Sequence, residues 1–102
     1  MTPLDRFAGL VAQQPDNELF RFSYGKALLD AERPADALVH LEVALEKKQD
    51  WMAVAILAAK CHLTLGNPSA AKKLLEKSRD LAVAQNHESP LDEVTQLLTT
   101  LS

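Results

Sequence analysis

Two lysines and one Cys-His pair are the residues whose type and spacing bear most directly on chemistry. Lys26 and Lys60 stand thirty-four residues apart, each among apolar residues, and could present two ammonium groups to one ligand or be ordinary solvated charges whose stems cover apolar neighbours. Cys61 and His62 are adjacent, which raises a metal site or a nucleophile and its base. Neighbours on a helix point about 100° apart, Cys61 is the only cysteine, and His40 and His87 lie at no zinc-like spacing. No metal or cofactor is therefore expected. Cys61 reads as a buried small hydrophobe, and His62 as a residue that packs or hydrogen-bonds between helices. No nucleophile, base and oxyanion site come together and no glycine-rich phosphate loop occurs, so the chain is read as not an enzyme. Lys72, Lys73, Lys77 and Arg79 form a basic run, but Glu76 and Asp80 interrupt it, which favours a solvated face over a nucleic-acid site.

The two lysines are part of a larger periodicity. When the chain is cut after Asp50 and the halves of 17–84 are superposed, Lys26 falls on Lys60, Leu29 on Leu63, Pro34 on Pro68, Ala37 on Ala71, Leu41 on Leu75 and Glu42 on Glu76. A repeat of this length directs attention to a solenoid of helical pairs. At 102 residues there is room for one domain, with 47% hydrophobic and 25% charged residues, as in an ordinary globular chain. A formal charge of -3 argues against nucleic acid as partner. Residues 1–10 lack the basic and apolar regions of a secretory signal, and the longest apolar run, Trp51 to Ala59, is about half of what a membrane helix needs. A cytoplasmic protein with no membrane partner is the expectation. A lone cysteine leaves the redox compartment open.

Six helices are expected. Thr2-Pro3-Leu4-Asp5 caps and opens the first, which runs to about Gln13 before Pro15. Asp16 or Asn17 caps the second, reaching about Ala31, with Phe20, Ala27, Leu28 and Ala31 toward the next helix and Leu19, Phe22, Lys26 and Leu29 along another line. Pro34 and Asp36 open the third, with Ala37, Leu38, Leu41, Ala44 and Leu45 inward. The fourth, about Trp51 to Leu65, is apolar almost all round and must be covered on most sides. Gly66-Asn67-Pro68 ends it and starts the fifth, whose inward face is Ala71, Leu74, Leu75, Ser78, Leu81 and Ala82. Ser89-Pro90-Leu91-Asp92 repeats the opening device of the first helix, and Leu91, Val94, Leu97, Leu98 and Leu101 give a sixth helix its stripe. Asp92, Glu93, Thr95, Gln96 and Thr99 form a polar side suited to capping the stack.

Small residues recur at matching places: Gly25 with Ala59, Ala37 with Ala71, and Ala44 with Ser78. With Leu41 and Leu75 between them, the pattern resembles the tetratricopeptide repeat. It departs where that family has an early aromatic, here Arg21 and Ala55, and a closing proline, here Gln49 and Val83. The resemblance implies an all-α, right-handed helical-hairpin solenoid: a half repeat at 1–16 with Phe7 in the large-residue position, repeats at 17–50 and 51–84, and a linker and capping helix at 85–102. It further implies that the first helix of each pair lines a concave face. There Leu19, Phe22, Lys26 and Leu29 would lie beside Ala53, Ile56, Lys60 and Leu63, an apolar floor with two parallel ammonium groups. The expected work is non-catalytic binding of a protein or peptide with apolar anchors and a carboxylate. The family's clamp for chaperone C-termini is not expected, because its lysine and asparagine places hold Phe22 and Lys26, with Ile56 and Leu57 at the neighbouring sites of the fourth helix. A structural role through homodimerisation, by way of Trp51 and Met52 or the last helix, is the alternative.

Overall fold

The computed structural model describes residues 2–85 and 88–101, and within the last helix the side chains of 93–100. Six helices follow one another: α1 (Pro3–Gln13), α2 (Glu18–Asp30), α3 (Pro34–Lys47), α4 (Met52–Thr64), α5 (Pro68–Gln85) and α6 (Glu88–Leu101). Their starts follow local chemistry. The Thr2 hydroxyl accepts from the Asp5 N–H at 3.2 Å while the Asp5 carboxylate accepts from the Thr2 N–H at 3.1 Å, a reciprocal capping box. Those hydrogen bonds hold the Asp5 carboxyl below its usual value. Asn17 caps α2 by accepting from the Phe20 N–H at 3.1 Å. Proline occupies the first position of α1, α3 and α5, where a missing N–H costs little.

The sixth helix departs from expectation. It begins at Glu88, so Ser89 is already helical and Pro90 falls in the first turn instead of opening the helix. The first-turn amides have no intrahelical acceptor, so a proline is tolerated there. Leu91 and Leu101, expected on its inward stripe, lie outside the described side chains.

Both hairpin turns share one device. Glu32 (φ 61°) and Gly66 (φ 81°), again thirty-four positions apart, take the left-handed conformation after α2 and α4. In each, the following N–H reaches back five residues, Arg33 to the Leu28 carbonyl at 2.9 Å and Asn67 to the His62 carbonyl at 2.7 Å. These bonds satisfy carbonyls that the helix end leaves free. Gly66 adopts this geometry without a Cβ penalty, whereas Glu32 carries one.

Each helix packs on its neighbours in sequence, and α4 also touches α2 on one side and α6 on the other. Thus α2, α4 and α6 form one row, backed by α1, α3 and α5. Two apolar clusters fill the space between the rows. The first holds Leu28, Ala37, Leu41, Ala44, Val54, Ala58 and Cys61. The second holds Ile56, Ala59, Ala71, Leu75 and Val94. Contributing to both, α4 buries Val54, Ala55, Ile56, Ala58, Ala59 and Cys61, as its nearly uniform apolarity requires. Ala31 is the exception among the residues assigned to inward faces: it is the exposed C-cap of α2.

Close approach of α2 and α3 depends on Gly25. A Cβ there would lie 2.8 Å from Cγ and Cδ2 of Leu41 and 3.3 Å from the Ala37 carbonyl oxygen. The fully buried Leu41 has no free volume into which to retreat. Where the repeat pattern has an early aromatic, Arg21 ties the hairpin by polar contacts. Its Nε donates to the Pro15 carbonyl and its Nη1 to His40 Nδ1, each at 2.9 Å. His40 must then be neutral with its proton on Nε2. Its ring lies 4.5 Å from that of Tyr24.

Candidate functional groove

The side-by-side row of α2, α4 and α6 encloses an open groove of about 670 Å³. Phe22 and Lys26 enter it from α2, Lys48, Asp50 and Trp51 from the α3–α4 turn, and Met52, Ala53, Ile56, Leu57 and Lys60 from α4. Gln85 and Glu93 close the far side. Among these lining residues the Phe22 and Trp51 rings meet at 4.9 Å with their planes tilted by 43°. Such a pair contributes about 0.5–1.5 kcal/mol beyond simple burial. Lys48 Nζ lies over the Trp51 ring, 5.5 Å from its centroid, a cation–π contact.

Five of the eight residues assigned to a concave face by sequence line this groove: Phe22, Lys26, Ala53, Ile56 and Lys60. The other three lie elsewhere for identifiable reasons. Leu19, 60% exposed, sits in the first turn of α2 beside a separate polar depression formed with residues 14–18. Leu29 and Leu63 occupy the last turns of their helices, where the chain folds back, and they pack against the first and second apolar clusters respectively.

Sequence reasoning missed the turn and the last helix. It puts Lys48 on the water-facing side of the third helix, gives Asp50 no role, and places Glu93 on the polar side of a capping helix. In the structure Glu93 Oε1 lies 3.3 Å from Lys60 Nζ, with both side chains about half exposed. Lys60 is thus already paired, while Lys26 has no ion-pair partner among the described residues. The two lysines are chemically unequal. Around the groove, three lysines face two carboxylates, Asp50 and Glu93, in a chain whose formal charge is -3. In addition, Trp51 at the N-cap of α4 makes no side-chain cap hydrogen bond, so the first-turn amides add partial positive charge beside Met52 and Ala53.

The Cys-His pair does not belong to this site. Cys61 is fully buried in the first cluster, where burial pushes its thiol up from the usual value. His62 lies between helices, its Nε2 4.0 Å from the Glu42 carboxylate on α3 and its Nδ1 buried without a hydrogen-bond partner in the structure. No cluster of three or more His, Cys, Asp or Glu with metal-binding geometry occurs among the described residues. No helix of the described residues is long and apolar enough to cross a membrane.

Two rows of paired helices with a groove along the inner row define a helical-repeat solenoid. The sequence model of the tetratricopeptide repeat matches residues 28–83, more than half of the chain, and the protein belongs to that family. No curated protein sequence matches it closely enough to count as a relative. Among solved structures, PcrH of Pseudomonas aeruginosa in complex with the chaperone binding region of PopD is similar with a TM-score of 0.87 at 21% identity, over 96% of this chain and 74% of that one. BPP2914 from Bordetella parapertussis is similar with a TM-score of 0.83 at 25% identity, over 99% of this chain and 88% of that one. The TPR2B domain of yeast Sti1, in a complex designated pHsp70, gives a TM-score of 0.85 at 17% identity, over 96% and 78% of the two chains.

Proposed function

We propose that this protein is a non-catalytic interaction module that takes a segment of a partner protein into the groove of α2, α4 and α6. The carrying observation is the Phe22–Trp51 pair set among three lysines in an otherwise acidic chain. An aromatic floor of that kind holds apolar anchors, and the lysines favour a segment that also bears carboxylates. The first contact for such a carboxylate is Lys26, which is exposed and unpaired among the described residues. PcrH, similar in fold, has been solved with the chaperone binding regions of PopD and PopB, which supports an interaction role for this chain as well.

Trp51 is the only tryptophan of the chain and lines the groove, so its emission reports directly on occupancy. Peptides selected from a random displayed library are expected to combine large apolar residues with Asp or Glu and to shift Trp51 emission. Lys26→Glu should weaken them two- to tenfold, about 0.4–1.4 kcal/mol for reversing one exposed charge. Selected peptides that bind without changing Trp51 emission would remove the groove from the account. Assembly through a homodimer predicts instead a concentration-dependent sedimentation coefficient without any ligand.

A further inference from the structure

Within that groove reading, the ion pair that bridges α4 and α6 bears on which ligands fit. Glu93 and Lys60 line the same groove, with Oε1 and Nζ 3.3 Å apart and side chains 49% and 41% exposed. The helix turn that presents Glu93 is fixed. Its neighbour Val94 is fully buried in the cluster of Ile56, Ala59, Ala71 and Leu75, so α6 cannot swing away without opening that cluster. A partner carboxylate arriving at Lys60 meets a position already filled by a carboxylate of the chain itself. It must displace Glu93 or sit beside it on the same ammonium group, and either way two like charges are left adjacent. Across the row, on α2, Lys26 lines the same groove with no ion-pair partner among the described residues.

We propose that Glu93 is a specificity-determining residue that gives the groove a polarity, so that a bound segment carries its acidic residues toward α2 and Lys26 and uncharged residues toward α6 and Lys60. The inference rests on the groove reading above and adds a direction to it. Repulsion at one end, not attraction at the other, sets this direction. Because the pair is half exposed, the discrimination is modest, about two- to fivefold for one carboxylate.

The test sorts one random library of displayed, end-blocked peptides against wild type, Glu93→Gln and Glu93→Lys, with Trp51 emission read for representative peptides from each pool. Equal melting temperatures check that the variants retain the fold. Wild type should select peptides with Asp and Glu gathered toward one end. Glu93→Gln should select acidic residues at both ends and bind doubly acidic peptides two- to fivefold more tightly than wild type, and Glu93→Lys should move further in the same direction. Identical charge patterns in the three pools, with Trp51 responding in all, would overturn the role of Glu93 while leaving the groove in place. Pools that bind with no Trp51 response would instead overturn the groove reading, and the polarity with it.

Discussion

Gly25 and Gly9 form a matched pair for testing how the helices approach one another. Both are helical, but a Cβ on Gly9 would meet nothing within 4 Å, whereas one on Gly25 would sit 2.8 Å from the Leu41 side chain. Ordinary carbon contacts lie at about 3.5–4.0 Å, so alanine at 25 forces α2 and α3 apart by several tenths of an ångström or drives Leu41 from its rotamer. Overpacking of this kind costs about 1–3 kcal/mol. Glycine to alanine in a helix gains about 1 kcal/mol by propensity alone, and Gly9→Ala should show that gain undiluted. Gly25→Ala should therefore fall below Gly9→Ala by about 1–3 kcal/mol, and Gly25→Leu should lie below wild type by about the same amount. Urea unfolding of the three variants reads these differences, and about 1 kcal/mol corresponds to a 4–8 °C shift in Tm for a domain of this size. If Gly25→Ala were stabilised as much as Gly9→Ala, the close packing of Gly25 on Leu41 would be wrong.

Two further substitutions address the turns and the polar tie between helices. Glu32→Gly should stabilise the fold by up to about 1 kcal/mol by removing the left-handed penalty, and Gly66→Ala should cost about the same; melting curves in which neither moves would contradict the shared turn geometry. Burial first, and then the Arg21 guanidinium, hold His40 below the usual imidazole value, against an upward pull from Asp36. A depressed folded value means that the unfolded chain binds the proton first, so this stability is present above about pH 6.5 and is lost as pH falls through the folded value. Urea midpoints measured between about pH 7.5 and pH 5.5 should fall more for wild type than for His40→Asn; parallel profiles would rule out the linkage.

The fold was legible because its helix starts and close contacts are written in residues with few alternatives. Thr2-Pro3 and Pro34 mark starts, and Gly25, Ala37 and Ala71 mark where backbones approach. The groove was only partly legible. Helical spacing placed Phe22, Ile56 and both lysines on one face, but the same spacing could not tell that Leu29 and Leu63 fall where the chain folds back. Lys48 and Asp50 enter from a turn, for which periodicity makes no statement. Glu93 was hidden because α5, at 18 residues against 14 for α3, carries α6 out of the thirty-four-residue register. That register did contain one unused signal: Glu32 falls on Gly66, and superposing the two turns reveals the shared left-handed position.

Amide chemical-shift mapping with a library-selected peptide tests the central claim most directly. The account predicts perturbations gathered at residues 22–26, 48–53 and 56–60, with Trp51 among the largest and the Lys72, Lys73 and Lys77 face of α5 unmoved. Perturbations concentrated on that α5 face, or spread along α1 with the Trp51 indole unchanged, would contradict it.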